Sequence, residues 1–321
     1  MTRIFRRLAA AFLSLFALAA CAQDWPTKPV TILVPFAAGG TVDIVTRIVA
    51  QRLSVALGQP FVVDDHGGAA GTIATAAMAR SAPDGYTLLV HHMGLVFNAT
   101  LYRHLPYDTL KDIAPVASIG ATPNVLVVNK DLPVKTVPEF IAFARAKPGA
   151  ISYGSGGIGS AGHLPMELLQ SSAHIEMLHV PYKGSGPALT DLMGGRIQAM
   201  LLTIPAVMPY IAGGQLRAIA TSGAKRSPAL PQLPTLAESG VPGFEYEPWY
   251  GLFAPAGTPQ PVLDRIHDAI NKVLHEPEVA DKLAKQGLEV KPMTRDEFAS
   301  TVRADMPKWG QVITKLGIKV E

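Results

Sequence analysis

The sequence predicts an α/β protein of two lobes, each built on a parallel-rich sheet, with two segments crossing between them. Three observations lead there. Strand and helix patterns alternate in two separate series, as parallel β-α-β units require. Glycine-rich turns fall between a strand end and a helix start in both series. Extended, proline-containing passages interrupt the alternation twice, around Pro123 and again from Pro228 to Phe253.

The chain begins with a segment outside this fold. Arg3, Arg6 and Arg7 precede an apolar run from Leu8 to Ala20, a basic region followed by an apolar stretch too short to span a membrane as a helix. Residues 1–22 read as a secretory signal, which places the mature protein in the periplasm. Ala20-Cys21-Ala22 offers cleavage before Gln23, whereas Leu18-Ala19-Ala20-Cys21 resembles a lipoprotein box that would anchor the chain through Cys21. Cys21 is the sole cysteine, so neither route leaves a disulfide to brace the exported domain. Removing the three arginines takes Lys plus Arg from 28 to 25, equal to the 25 Asp plus Glu. A formally neutral chain lacks the basic footprint of a nucleic-acid binder.

The first series opens with Val30 to Val34, a β-branched strand halted at Pro35. The chain then passes Ala37-Ala38-Gly39-Gly40 and restarts as a helix at Thr41, with Val42, Val45, Ile48, Val49 and Leu53 on one face. Glycine frees the backbone N–H groups to turn toward a guest, and the positive end of the helix dipole favours an anion. Gly67 to Thr72, Gly154 to Ser160 and Gly184 to Pro187 repeat the pattern. Phe61 to Val63 is the second strand, Thr72 to Ala79 a small-residue helix, Pro83-Asp84-Gly85 a turn, and Tyr86 to Val90 the third strand. That strand runs into His91-His92-Met93-Gly94 at the carboxyl end of the sheet. Alternation sends the two histidines to opposite faces, so only one, taken as His92 with Gly94 beside it, can face a ligand.

Val116 to Ile119 and Val125 to Val128 form the first crossing. The second series follows: helix 136–147, strand Ile151 to Tyr153, the loop to Ser160, and a helix through Gln170 that Ser160 can cap. Next come strand Leu178 to Pro181, helix Pro187 to Met193, strand Ala199 to Thr203 with Thr203 at its carboxyl end, helix Pro205 to Ala212, and strand Leu216 to Thr221. Trp249 to Phe253 is the return. Helices at 258–275 and 277–286 follow, and a last one opens on Thr294-Arg-Asp-Glu297, which has capping-box spacing. Lobe 1 is therefore assigned to residues 23–124 plus 248–321 and lobe 2 to residues 125–247. Glycine loops from both lobes would face each other across a cleft, where an anion gripped by both favours the closed form.

Several motifs carry a resemblance over essentially the whole mature chain, in order: Val34-Pro-Phe-Ala-Ala-Gly-Gly40 with Asp43, Pro83-Asp-Gly-Tyr-Thr-Leu88, Leu105-Pro-Tyr-Asp108, Tyr153-Gly-Ser-Gly-Gly-Ile-Gly-Ser160 with His163, His179-Val-Pro-Tyr-Lys-Gly184 and Ala254-Pro-Ala-Gly-Thr258. Together they resemble the substrate-binding proteins of tripartite tricarboxylate transporters, the Bug or TctC-like family. The resemblance implies a type II, Venus flytrap receptor that captures a small mono-, di- or tricarboxylate and hands it to a membrane permease, with no cofactor and no metal. It assigns Phe36, Ala38, Gly39, Thr41 and Asp43 to the first binding loop, beside Gly40, and Ser155, Gly156, Gly159 and Ser160 to the second, with His163 close by. Two departures stand out. The family has prolines where this chain has Ala37-Ala38, and Asp65-His66-Gly67-Gly68 replaces a common Asn-Arg-Pro-Gly, removing a cation. Asp43, an acid in a carboxylate site, is expected to hold loop amides instead of ligand. The chain is expected to act as a monomer.

Other chemistries fit less well. Gly154 to Gly159 matches G-x-G-x-x-G, yet Glu176, the acid about twenty residues on, precedes the next strand where a dinucleotide fold needs it at that strand's end. No serine has the G-x-S-x-G setting of a hydrolase. His163 and Glu167 have i,i+4 spacing without further metal ligands. An enzyme on the same scaffold and a sensor for a signalling partner are the alternatives. Lys183 is a candidate partner for a second carboxylate, with a solvated surface role equally open. Tyr102, Tyr182, Trp249 and Tyr250 read mostly as core or hinge packing; one stacked on a guest would make that guest an aromatic acid.

Overall fold

The computed structural model describes residues 25–319, so the leader and both ways of processing it lie outside the described residues. Two mixed five-stranded sheets form the framework. The first half of lobe 1 contains β1 (Val30–Val34), α1 (Thr41–Leu57), β2 (Phe61–Asp65), α2 (Thr72–Ala79), β3 (Thr87–His92), α3 (Gly94–Leu101) and β4 (Ile113–Ala121). Lobe 2 contains β5 (Asn124–Asn129), α4 (Val137–Ala146), β6 (Ser152–Ser155), α5 (His163–Ala173), β7 (Leu178–Pro181), α6 (Ser185–Met193), β8 (Ala199–Thr203), α7 (Ile204–Ala212) and β9 (Leu216–Thr221). The chain returns as β10 (Trp249–Pro255) and finishes in α8 (Gln260–Leu274), α9 (Pro277–Lys285) and α10 (Arg295–Lys315).

The sheet orders are β2-β1-β3-β10-β4 and β7-β6-β8-β5-β9. In each, the strand that arrives from the other lobe is antiparallel to both neighbours: β10 between β3 and β4, β5 between β8 and β9. The reason is geometric. A chain crossing the cleft enters at the carboxyl ends of the resident strands and must run back against them. The alternation of strand and helix does not reveal this reversal, because β5 and β10 are buried along their whole length and show no polar face.

Two further differences have local causes. α3 goes unread in the sequence because Leu95, Val96, Phe97, Asn98 and Leu101 are all buried, so no amphipathic period marks it. Ser160 does not cap α5; that helix starts at His163 behind Gly162, two residues later than expected. At α10 the capping box forms as the spacing predicts, with Thr294 accepting from the Glu297 N–H and the Glu297 carboxylate accepting from the Thr294 N–H. α10 packs on the return strand, where the Phe298 ring occupies the space a side chain at Gly251 would need.

The crossings run side by side. One is the short Thr122-Pro123 link and the other the proline-rich 222–248. Ser222 joins them: its Oγ accepts from the Asn124 N–H at 2.7 Å and donates to the Tyr246 carbonyl at 2.5 Å. Among the described residues no helix is long and apolar enough to cross a membrane.

Candidate functional site

Four helices begin at the cleft: α1 from lobe 1, and α5, α6 and α7 from lobe 2. Their N-cap residues are Gly40, Gly162, Gly184 and Thr203, and none accepts a hydrogen bond from its own helix through its side chain. All four line one cavity of about 60 Å³. An uncapped helix start exposes unpaired N–H groups together with the positive end of the dipole. Four of them around one small space make a site for an anion.

The lobes meet directly across this space. The Thr41 and Thr203 hydroxyls hydrogen-bond each other, and both lie within reach of the Tyr250 hydroxyl. Burial pushes the Tyr250 phenol up, so it stays protonated, although its hydrogen bonds with Thr203 and Thr41 oppose the shift. Ala37 faces Gly184 closely enough that a Cβ on that glycine would lie 3.4 Å from the Ala37 methyl. Ser160 is 5% exposed and lines the cavity, and its buried hydroxyl has no hydrogen-bond partner among the described residues.

Behind the first loop, the Gly39 N–H donates to Asp43 Oδ2 at 2.8 Å, which fixes Gly39 at a φ of +81° that favours glycine. Arg47 lies 2.5 Å from Asp43 Oδ1 and 2.6 Å from Asp65 Oδ2. A cation thus sits behind this loop, supplied from α1. Burial, followed by the like charge of Asp43, raises the Asp65 carboxyl, and Arg47 opposes both.

His92 stacks on Phe36 with ring centres 4.9 Å apart. Its Nδ1 accepts the Gly94 N–H at 2.7 Å, so its proton belongs on Nε2, and burial, then the charge of His91, pushes it well below the usual histidine range. His91 is fully buried against Gly71, outside the cavity lining, although its ring also lies 5.5 Å from Phe36 and 5.0 Å from His92. Beneath the second loop, Tyr153, His179 and His163 form a stack, with centres 4.8 Å and 4.2 Å apart. His179 Nε2 meets Ser155 Oγ at 2.7 Å, His163 Nδ1 accepts the Gly159 N–H at 3.3 Å, and the Tyr153 hydroxyl donates to Glu167. Burial lowers His163 to about 3, with His179 as second cause, and lowers His179 to about 4. The Ser155–His179 pair has the spacing of a nucleophile and its base, but Ser155 is fully buried and its Oγ also accepts from the Gly157 N–H.

Of the positions singled out in the sequence, Phe36, Gly40, Thr41, His92, Gly156, Ser160 and Thr203 line the cavity. Ala38, Gly39, Asp43, Gly94, Ser155, Gly159 and His163 lie beside or behind it, shaping the loops. The Gly67 turn packs on the backbone of Phe36 and Ala37 and supports the first loop. Lys183 is exposed and outside the lining. Sequence reasoning missed Ser185, Gly162, Leu202 and Ala206, and took Tyr250 for packing. The glycine pattern at Gly184 pointed toward Ser185; nothing in the pattern of β10 distinguishes Tyr250 from its equally buried neighbours.

A two-lobed α/β protein whose helix starts converge on the interlobe cleft is a solute-binding receptor of the Venus flytrap class. Residues 45–318 match the family described as "Tripartite tricarboxylate transporter family receptor", and the chain belongs to that family. It is 37% identical over 302 residues to protein BugT of Bordetella pertussis, covering 94% of this chain and 93% of that one. Among solved structures it is similar to an R. palustris protein with adipate, at 38% identity and TM-score 0.89, covering 92% and 99% of the two chains. It is also similar to the periplasmic binding protein BugD, at 33% identity and TM-score 0.89, covering 92% and 100%. Family members are solute receptors, and the chain is one of them and not an enzyme.

Proposed function

We propose that this chain is an extracytoplasmic receptor, exported to the periplasm by residues 1–22, that closes lobe 1 (23–124 plus 248–321) on lobe 2 (125–247) around a small organic carboxylate. It acts as a monomer and delivers that ligand to a tripartite tricarboxylate-type membrane permease. The observation carrying this reading is the convergence of four uncapped helix starts, from both lobes, on a single cavity. Main-chain N–H groups of the 36–41 and 155–160 loops, with the Ser160 and Thr203 hydroxyls and His92, hold the carboxylate, while Asp43, Gly94 and His163 keep the loops in place. The adipate complex of the R. palustris relative supports the ligand class.

A thermal-shift screen of small organic acids on the mature protein tests this. A ligand at 100 times its Kd adds about 2.7 kcal/mol to stability. At least one acid is expected to raise the melting temperature while its uncharged amide does nothing; equal shifts from acid and amide would refute an anion site.

A further inference from the structure

Two acids share one arginine behind the first binding loop. Asp43, 5% exposed, and Arg47 stand one turn apart on α1, and Asp65 ends β2 level with Val34, the residue before Pro35 opens the loop. Arg47 reaches both carboxylates, at 2.5 Å and 2.6 Å, and the two carboxylates lie within hydrogen-bonding reach of each other. With both acids ionised the trio carries one uncompensated negative charge. β1 and the loop at 35–41 add no titratable side chain, and on β2 itself Asp64 pairs with His66 at 2.8 Å.

That excess charge stands directly behind an anion site. Asp43 Oδ2 accepts the Gly39 N–H at 2.8 Å, one residue before the uncapped start of α1 at Gly40. A guest anion on those amides is repelled by the trio, because charges this close and partly buried are poorly screened. The hydrogen bonding of the trio is also incomplete. Asp43 Oδ1 and Asp65 Oδ1 are buried, and neither receives an aligned hydrogen bond among the described residues. Two facing carboxylates with spare acceptors lack a donor. One proton drawn from solvent supplies it: carried on Asp65 and shared with Asp43, it leaves Asp43 Oδ2 on the Gly39 N–H and brings the trio to neutrality. Burial, then the like charge of Asp43, already push the Asp65 carboxyl up, with Arg47 opposing.

Resting on the carboxylate-receptor reading above, we infer that capture at the cleft is proton-linked: the guest carboxylate is bound together with a proton on Asp65. The sign follows from reciprocity. A bound anion favours the protonated trio, so the liganded protein holds more protons than the free one and affinity falls as pH rises.

Isothermal titration of the mature protein with adipate and with formate, at pH values from about 5 to about 7.5, tests the inference. Asp65→Asn keeps the shape of the side chain and removes its charge; Asp64→Asn is the control, a half-exposed acid whose charge is screened by solvent. Asp65→Asn is expected to bind at least about three-fold more tightly than wild type at the upper pH, with the ratio falling toward one at the lower pH. The ratio at each pH cancels the ionisation of the acid and of the site histidines. Near pH 6, heats measured in MES and in Bis-Tris are expected to show wild type taking up more protons per anion than Asp65→Asn, and Asp64→Asn is expected to track wild type. Weaker binding by Asp65→Asn at the upper pH, a ratio that is constant with pH, equal proton uptake, or an Asp64→Asn protein that behaves like Asp65→Asn overturns the proton link and leaves the receptor reading intact. Should Asp65→Asn not fold, the two-buffer comparison on wild type with formate decides, and zero uptake overturns the link. Silence toward both acids in both proteins overturns the anion site and this inference with it.

Discussion

His163 and His179 lie face to face at 4.2 Å under the serine-glycine loop, and His163 accepts the Gly159 N–H only while it is neutral. In the unfolded chain both titrate near 6.5, whereas in the fold burial holds them near 3 and 4. Between those values the unfolded state binds more protons, so stability rises with pH. It is fully present above about 6.5 and is lost as pH falls toward the folded values. The melting temperature is expected to drop by roughly 5 °C or more between pH 7 and pH 5 at constant ionic strength. A flat profile over that range would show that the stack does not hold its histidines neutral. At this scale the sequence was only partly legible. Motif resemblance pointed to Ser160 and Thr41, which line the cavity, but the stacking of three rings from β6, β7 and α5 arises from tertiary register, which spacing along one element does not encode.

The helix starts at the cleft retain N–H groups that a side-chain cap would have satisfied. Gly40 has an extended φ of −80°, and a Cβ there would meet only ordinary contacts at 3.5 Å and 3.9 Å. Gly40→Asp therefore fits the backbone and supplies α1 with the missing cap. The variant is expected to gain a few tenths of a kcal/mol and melt about one degree higher without ligand, yet to lose the thermal shift produced by the wild-type ligand. Loss of both stability and binding would mean the substitution merely damages the loop. Nearly every strand and helix was readable from apolar periodicity and glycine stops. The exceptions are instructive: α3 is buried from Gly94 to Asn98 and again at Leu101, so no amphipathic stripe marks it, and Ser160, where a cap was expected, is left without a hydrogen-bond partner beside the cavity.

At the level of the molecule, closure depends on two crossings that move together. Ser222 is fully buried and ties Asn124 to Tyr246. Ser222→Ala leaves a buried donor and a buried acceptor unpaired, at about 2 kcal/mol, and is expected to lower the melting temperature by roughly 4–8 °C in a calorimetric scan. An unchanged transition would show that the crossings are held by their flanking strands alone. Two lobes and two crossings were legible because the strand-helix rhythm breaks twice. The antiparallel entry of β5 and β10 was not, because strand direction depends on where the chain comes from and not on what the strand contains.

Bare amides around the cleft have a practical corollary at the bench. Formate, acetate or another small anion in a buffer can occupy them, and every measured affinity then weakens by the factor one plus the ratio of that anion's concentration to its own dissociation constant. Protein taken from a cell extract would arrive already loaded with whatever acid it met. Mass spectrometry of material released by mild unfolding is therefore the shortest route to the natural cargo.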